Sequence, residues 1–328
     1  MIKNTKSILA FLFLLSQIGC AQVAHKEDQM GNGKEIPKKL AVLVVHGMGD
    51  QSSDFADGMI EEIEEQLLEE HGINPDEIAW KPVWWAPILS GREADLWSKS
   101  AAGNNLDYSL PREFAIHSLS DALAYRKIST CACSHHSTAG SDTYTLIHKQ
   151  FEADIQELHA ATILGKGADS RPVPVIIISH SLGCLIVRDY VFDRQNNAQP
   201  STGAFVGMKT LSGVITFGCN IPLFSLSGEN IEPFAFPGIV TDYFPLGTNS
   251  TEIQEATKWL NFYDPDDILG WPLRPLSEAY SKAVDADIDI SVGRFFTAWN
   301  PASHLKYWED SDFTTPVADM IAEIMKLL

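Results

Sequence analysis

Two stretches of this chain, Leu40 to Val45 (LAVLVV) and Val173 to Ile178 (VPVIII), contain no polar side chain. Successive side chains of a strand point to opposite faces, so a strand without a polar position must be buried on both. That requires the interior of a sheet covered by helices on each face, and such sheets are mostly parallel. Leu211 to Gly218 (LSGVITFG), Lys258 to Tyr263 (KWLNFY) and Ile288 to Val292 read as further strands. Ile78 to Trp85 reads as another, with Pro82 arguing for an edge because it donates no ladder hydrogen bond.

Helix-period segments separate these runs. Met59, Ile60, Ile63, Leu67 and Leu68 share one face of a helix that Asp54 would cap and His71-Gly72 would stop. Further helices are expected at 112–125, 143–164 and 182–194, and another closes the chain at Leu328. The fold class is therefore α/β, a mostly parallel sheet with helices on both faces. Residues 88–140 and 219–250 break the alternation and read as insertions into a domain spanning 38–328.

The first 22 residues read as a signal segment. Lys3 and Lys6 precede an apolar run, Ile8 to Leu15, too short to span a bilayer, and small residues follow at Gly19-Cys20-Ala21. A polar tether, 23–37, leads to the first strand. Two outcomes stay open: cleavage near Ala21, or lipidation of Cys20 as a membrane anchor, although Gln17 stands where lipoprotein signals carry leucine. Either places the protein outside the cytoplasm, in the bacterial cell envelope or secreted. A formal charge of −19 repels phosphate backbones and excludes nucleic acid as a partner. Cys131-Ala-Cys133 with His135-His136 is open between a metal cluster, a disulfide and free thiols.

In open α/β sheets, functional groups gather beyond the carboxyl ends of the strands. Three polar signals fall there. His46-Gly47-Met48-Gly49 follows the first strand, Ser179-His180-Ser181-Leu182-Gly183 follows 173–179, and Asp264, Asp266 and Asp267 follow 258–263. His304 lies after the last strand. A serine hydroxyl attacks only when a base takes its proton and a carboxylate orients that base. Ser181, an acid of the 264–267 loop and His304 supply these roles in the order Ser, Asp, His. Oxyanion charge needs backbone N–H donors, for which Leu182 at the helix start and Met48 in the upstream turn are the candidates. Such chemistry calls for no metal or cofactor.

In these residues the chain resembles the α/β-hydrolase superfamily, specifically its lipase- and esterase-like members. The resemblance is carried by 46–49, 179–183, 259–272 (WLNFYDPDDILGWP) and Ser303 to Trp308, and covers 38–328 without the 88–140 insertion. The 259–272 stretch is also similar to the acid-bearing segment of intracellular phospholipase-A1-like proteins. Ser179 departs from the family's G-x-S-x-G pattern, where that position is glycine. The resemblance implies an α/β-hydrolase-type fold with the insertions as a cap, and a serine hydrolase acting on a small-molecule or lipid ester. Among the three acids, Asp267 is favoured. The family acid is followed two residues on by an apolar anchor, and Asp267 has adjacent Ile268 and Leu269 and the turn Gly270-Trp271-Pro272. The competing readings are an acyltransferase on the same triad and a non-catalytic binding protein of this fold.

Overall fold

The computed structural model describes residues 36–101, 104, 106–126, 142–163, 172–196, 203–227, 231–238, 243–244, 249–293 and 304–328. The signal segment, Cys20, and the cluster of Cys131, Cys133, His135 and His136 lie outside the described residues. Among the described residues, six strands form one sheet: β1 (Leu40–Val45), β2 (Ile78–Val83), β3 (Val175–His180), β4 (Leu211–Phe217), β5 (Lys258–Tyr263) and β6 (Ala286–Asp289). Their order is β2-β1-β3-β4-β5-β6, and every neighbouring pair is parallel. The expectation of a parallel α/β sheet holds.

Alternation along β1 assigns its residues to two cores. Leu40, Val42 and Val44 pack with Ile176, Ile178, Ile215 and Phe217 on one face. Ala41, Leu43 and Val45 pack with Val175, Ile177 and Val214 on the other. Helices α1 (Asp57–Glu69) and α5 (Ser311–Met325) cover the first face; α3 (Thr143–Ile163) and α4 (Leu182–Asn196) cover the second. α2 (Pro87–Ser100) lies between β2 and α3 in the chain and leads to three short helical turns, Ser109–Phe114, Ala115–Leu119 and Ser120–Ala124. Every residue of β1 is fully buried. At about 25 cal/mol per Å² of apolar surface, such strands give the sheet its main hydrophobic stabilisation.

Pro82 does sit on an edge strand, since β2 flanks only β1. Two local expectations fail. Asp54 is not the cap of α1: Ala56 holds that position without a side-chain cap, while Asp54 accepts a hydrogen bond from Ser52. The last strand runs Ala286–Asp289 rather than 288–292, because pairing with Leu260 to Tyr263 sets its register. Among the described residues, no helix is long and apolar enough to cross a membrane.

The chain runs from β1 outward to β2, then returns to place β3 on the other side of β1. This is a topological switch point, where the loops beyond two adjacent strands diverge and leave a crevice. The loops after β1 and β3 are the 46–49 turn and the turn carrying Ser181.

Candidate active site

Ser181 occupies the single-residue corner between β3 and α4, with φ 53°, a left-handed conformation uncommon for a side-chain-bearing residue. Its N–H donates to Phe217 O (3.1 Å) and its carbonyl accepts from Cys184 N–H (3.0 Å), so both ends of the corner are fixed. Strained backbone of this kind persists where its surroundings over-determine it. Gly183 makes the corner possible. A Cβ there would lie 2.6 Å from His46 O and 2.7 Å from Val45 O, inside van der Waals contact with rigid backbone. Gly183→Ala is therefore expected to lower the urea midpoint by the equivalent of about 1–3 kcal/mol, with loss of site geometry. An unchanged midpoint would mean the two backbones are free to separate. Ser179, two residues before Ser181, is fully buried, and its Oγ reaches Ile215 O at 3.4 Å. The partner makes a hydroxyl tolerable where the resembled pattern has glycine.

Three side chains from distant loops meet at the corner. Ser181 Oγ is 2.9 Å from His304 Nε2, and His304 Nδ1 is 2.8 Å from Asp267 Oδ2. All three residues are buried. Asp267 Oδ2 also accepts from Tyr307 OH (3.0 Å), and Oδ1 accepts from Leu269 N–H (2.9 Å). Burial alone would push this carboxyl up. The hydrogen bonds and charge of His304, with those from Leu269 and Tyr307, more than offset it and hold the group below its ordinary range. An ionised acceptor on Nδ1 leaves Nε2 free to accept from the serine.

The other two acids are occupied elsewhere. Asp264 accepts from Asp266 N–H (2.7 Å) and Val292 N–H (2.8 Å), bracing the loop, and Asp266 is exposed. One of the reasons offered from sequence for Asp267, the apolar residue next to it, needs correcting, however. Ile268 is 61% exposed and anchors nothing. The loop is held instead by Leu269 N–H on Asp267, by Tyr307, and by Trp271 N–H on Cys219 O (3.0 Å).

Tyr307 had no role assigned from sequence. Its hydroxyl accepts from Asp264 N–H (2.8 Å) while donating to Asp267, so it ties these two residues of the loop together. Burial pushes its own ionisation well above the usual range, keeping it a donor. Tyr307→Phe is expected to reduce kcat about tenfold, ~1.4 kcal/mol of barrier. It also strands the Asp264 amide, at a stability cost of about 1–3 kcal/mol. Stopped assays and denaturant melts on the same preparation check both numbers.

His46 and His180 hold backbone. His46 Nε2 accepts from Trp85 N–H (3.1 Å) and Ala86 N–H (3.3 Å), so its proton is on Nδ1, which donates to Gly47 O (2.8 Å). Burial lowers this imidazole to about 4, which keeps it neutral in that tautomer. The planar trans peptide puts the Met48 N–H opposite the fixed Gly47 carbonyl. Gly47 presses on the corner at Ser181: a Cβ there would be 2.6 Å from Ser181 Cβ. Leu182 is the first residue of α4, where N–H groups have no acceptor within the helix. His180, also kept neutral by burial and the adjacent His304, donates Nε2–H to His304 O (2.9 Å).

Asn220, beyond β4, was missed by sequence reading. Its Nδ2 lies 3.5 Å from Ser181 Oγ, and its buried Oδ1 has no partner among the described residues. Cys184 and Cys219 are buried free thiols. Phe234 stacks on Trp259 at 4.8 Å and Trp85 on His46 at 4.6 Å, so these aromatics serve packing. Among the described residues, no group of three or more His, Cys, Asp or Glu is arranged to hold a metal.

No family model matches the chain, and no curated protein matches it. Among solved structures it is similar to the Tle1 effector bound to the VgrG spike of the Type 6 secretion system, at 9% identity and a TM-score of 0.26. The match covers 75% of this chain and 50% of that one, so this chain spans about half the length of the structure it matches. At that score the likeness fixes neither the fold nor an activity.

Proposed function

We propose that the protein is a serine hydrolase that cleaves a carboxylic ester through an acyl-enzyme on Ser181. The observation that carries this reading is the unbroken chain from Ser181 Oγ to His304 Nε2 and from His304 Nδ1 to Asp267 Oδ2, at 2.9 and 2.8 Å. His304 takes the serine proton as Oγ bonds to the ester carbon. Asp267 stabilises the imidazolium without taking its proton. The tetrahedral oxyanion is received by the N–H groups of Met48 and Leu182, whose placement in the β1 turn and at the start of α4 supports that role. Collapse expels the alcohol, which takes the proton from His304 Nε2. Water then enters, gives one proton to His304 and attacks the acyl carbon; collapse breaks the bond from that carbon to Ser181 Oγ, which takes the proton back from His304 Nε2 as the acid leaves.

The insertions 88–140 and 219–250 are proposed to act as the cap that selects the acyl or alcohol part. The apolar run after Lys3 and Lys6 supports an exported enzyme, either cleaved near Ala21 or anchored through a lipidated Cys20 thiol. The test is covalent. A fluorophosphonate probe should label wild type stoichiometrically, and the adduct should map to the peptide containing Ser181. A protein that turns over no ester in a panel of varied acyl length and takes no label overturns the reading.

A further inference from the structure

The turn after β1 is held by the insertion as well as by the sheet. Gly49 N–H donates to Asp121 Oδ2 at 2.8 Å, across 72 residues of sequence. Asp121 lies in the helical turn Ser120–Ala124 and is 2% exposed. Its carboxyl hydrogen-bonds the carboxyl of Glu93 on α2, itself 5% exposed. Ser120 Oγ donates to Glu93 Oε1 at 2.7 Å, and His117 Nδ1 faces Glu93 Oε2 at 3.5 Å. Asp50, the next residue of the β1 turn, is the third acid facing Asp121. Among the described residues, no lysine or arginine pairs with Asp121 or Glu93.

Two buried carboxyl groups in hydrogen-bond contact do not both ionise without strong mutual repulsion. One proton between them makes a donor and an acceptor, and leaves Asp121 Oδ2 to accept from Gly49. Met48 thus sits between two fixed peptide units. The Gly47 carbonyl is held by His46, and the Gly49 amide is held by Asp121.

We propose that Asp121 is a positioning residue for the oxyanion turn, and that with Glu93 it forms a one-proton clamp linking the insertion to Met48. This rests on the proposed roles of Ser181 and Met48. The clamp carries a pH signature. Burial first, then the Glu93 carboxyl and Asp50, push Asp121 up to about 8, whereas the Gly49 hydrogen bond opposes this. Below that value the pair holds its proton and the turn is fixed. Above it two negative charges repel, the pair parts, and the turn loosens. Ester turnover therefore falls on the alkaline side.

The experiment is the pH profile of kcat/KM between pH 5 and 10 for wild type, Asp121→Asn and Glu93→Gln, read beside the pH dependence of the melting temperature. Wild type should show an alkaline fall of tenfold or more centred near pH 8. An amide at 121 accepts from Gly49 and donates to Glu93 without titrating, so the fall should disappear or move beyond pH 9. The melting profile needs no turnover. A carboxyl whose folded pKa is raised contributes least penalty below its unfolded value, and the penalty grows as pH rises toward the folded pKa. Wild type should lose melting temperature from about pH 4 to 8 by an increment absent in Asp121→Asn. An alkaline limb that is missing in wild type, or unmoved in both variants, overturns the clamp. If no form hydrolyses esters, the functional reading has failed instead, and the melting profiles decide the clamp alone. Should Asp121→Asn fail to fold, Glu93→Gln gives the same two readouts.

Discussion

Ser181→Ala is expected to lower kcat for ester hydrolysis by about 10⁵–10⁶-fold, about 7–8 kcal/mol of barrier, while the protein stays folded. The size follows from what one oxygen does. Ser181 Oγ is the atom 2.9 Å from His304 Nε2, and without it the imidazole has no nucleophile to deprotonate and no acyl-enzyme forms. Residual rate would come only from oxyanion binding and from water activated directly by His304. The corner itself is held by backbone, through Phe217 O and Cys184 N–H, and by the contact of Gly47 and Gly183 with it. The hydroxyl contributes little to that packing, so a change within about 1 kcal/mol in stability is expected. The decisive comparison is turnover on one ester panel together with denaturant midpoints. Wild-type-like turnover in a folded Ser181→Ala protein would end the serine hydrolase proposal.

Asp267→Asn is expected to reduce kcat by about 10³–10⁴-fold. The carboxylate accepts the His304 Nδ1 proton and leaves Nε2 unprotonated. An amide able to donate at that position favours the opposite tautomer, with Nε2 protonated and unable to accept from Ser181. Asp264→Asn is the matched control. Asp264 accepts from two amides of its own loop and its successor, at 2.7 and 2.8 Å, so an amide there places a donor against an N–H. Stability should fall by about 1–3 kcal/mol, with kcat kept within about tenfold. A dead Asp264→Asn enzyme beside an active Asp267→Asn enzyme would keep the serine mechanism and move the acid to 264.

Local sequence carried the elements whose causes are local. The runs LAVLVV and VPVIII could only be interior strands, and β1 is buried on both faces. Pro82 announced an edge, and β2 is one. The end of β6 and the cap of α1 were misplaced because other contacts set them: pairing with β5 in one case, and in the other the turns closed by Phe55 N–H on Ser52 O and Asp57 N–H on Asp54 O.

Around the site the division is sharper. Chain order and placement at strand ends were enough to nominate Ser181, His304, Met48, Leu182 and an acid of the 264–267 loop, and the resemblance favoured Asp267 among the three. The sequence did not contain their separations, because Ser181 and His304 are 123 residues apart and Asp267 and His304 are 37 apart. It also did not single out Tyr307, Asn220 or Asp121, which act across 40, 39 and 72 positions on Asp267, Ser181 and Gly49. Hydrophobic period and turn chemistry are properties of neighbours along the chain, and they determined the sheet, its covering helices and the corner at Ser181. A hydrogen bond between loops depends on strand order and register, so only the tertiary structure decided which acid faces His304, what holds that acid, and what grips the turn at Met48.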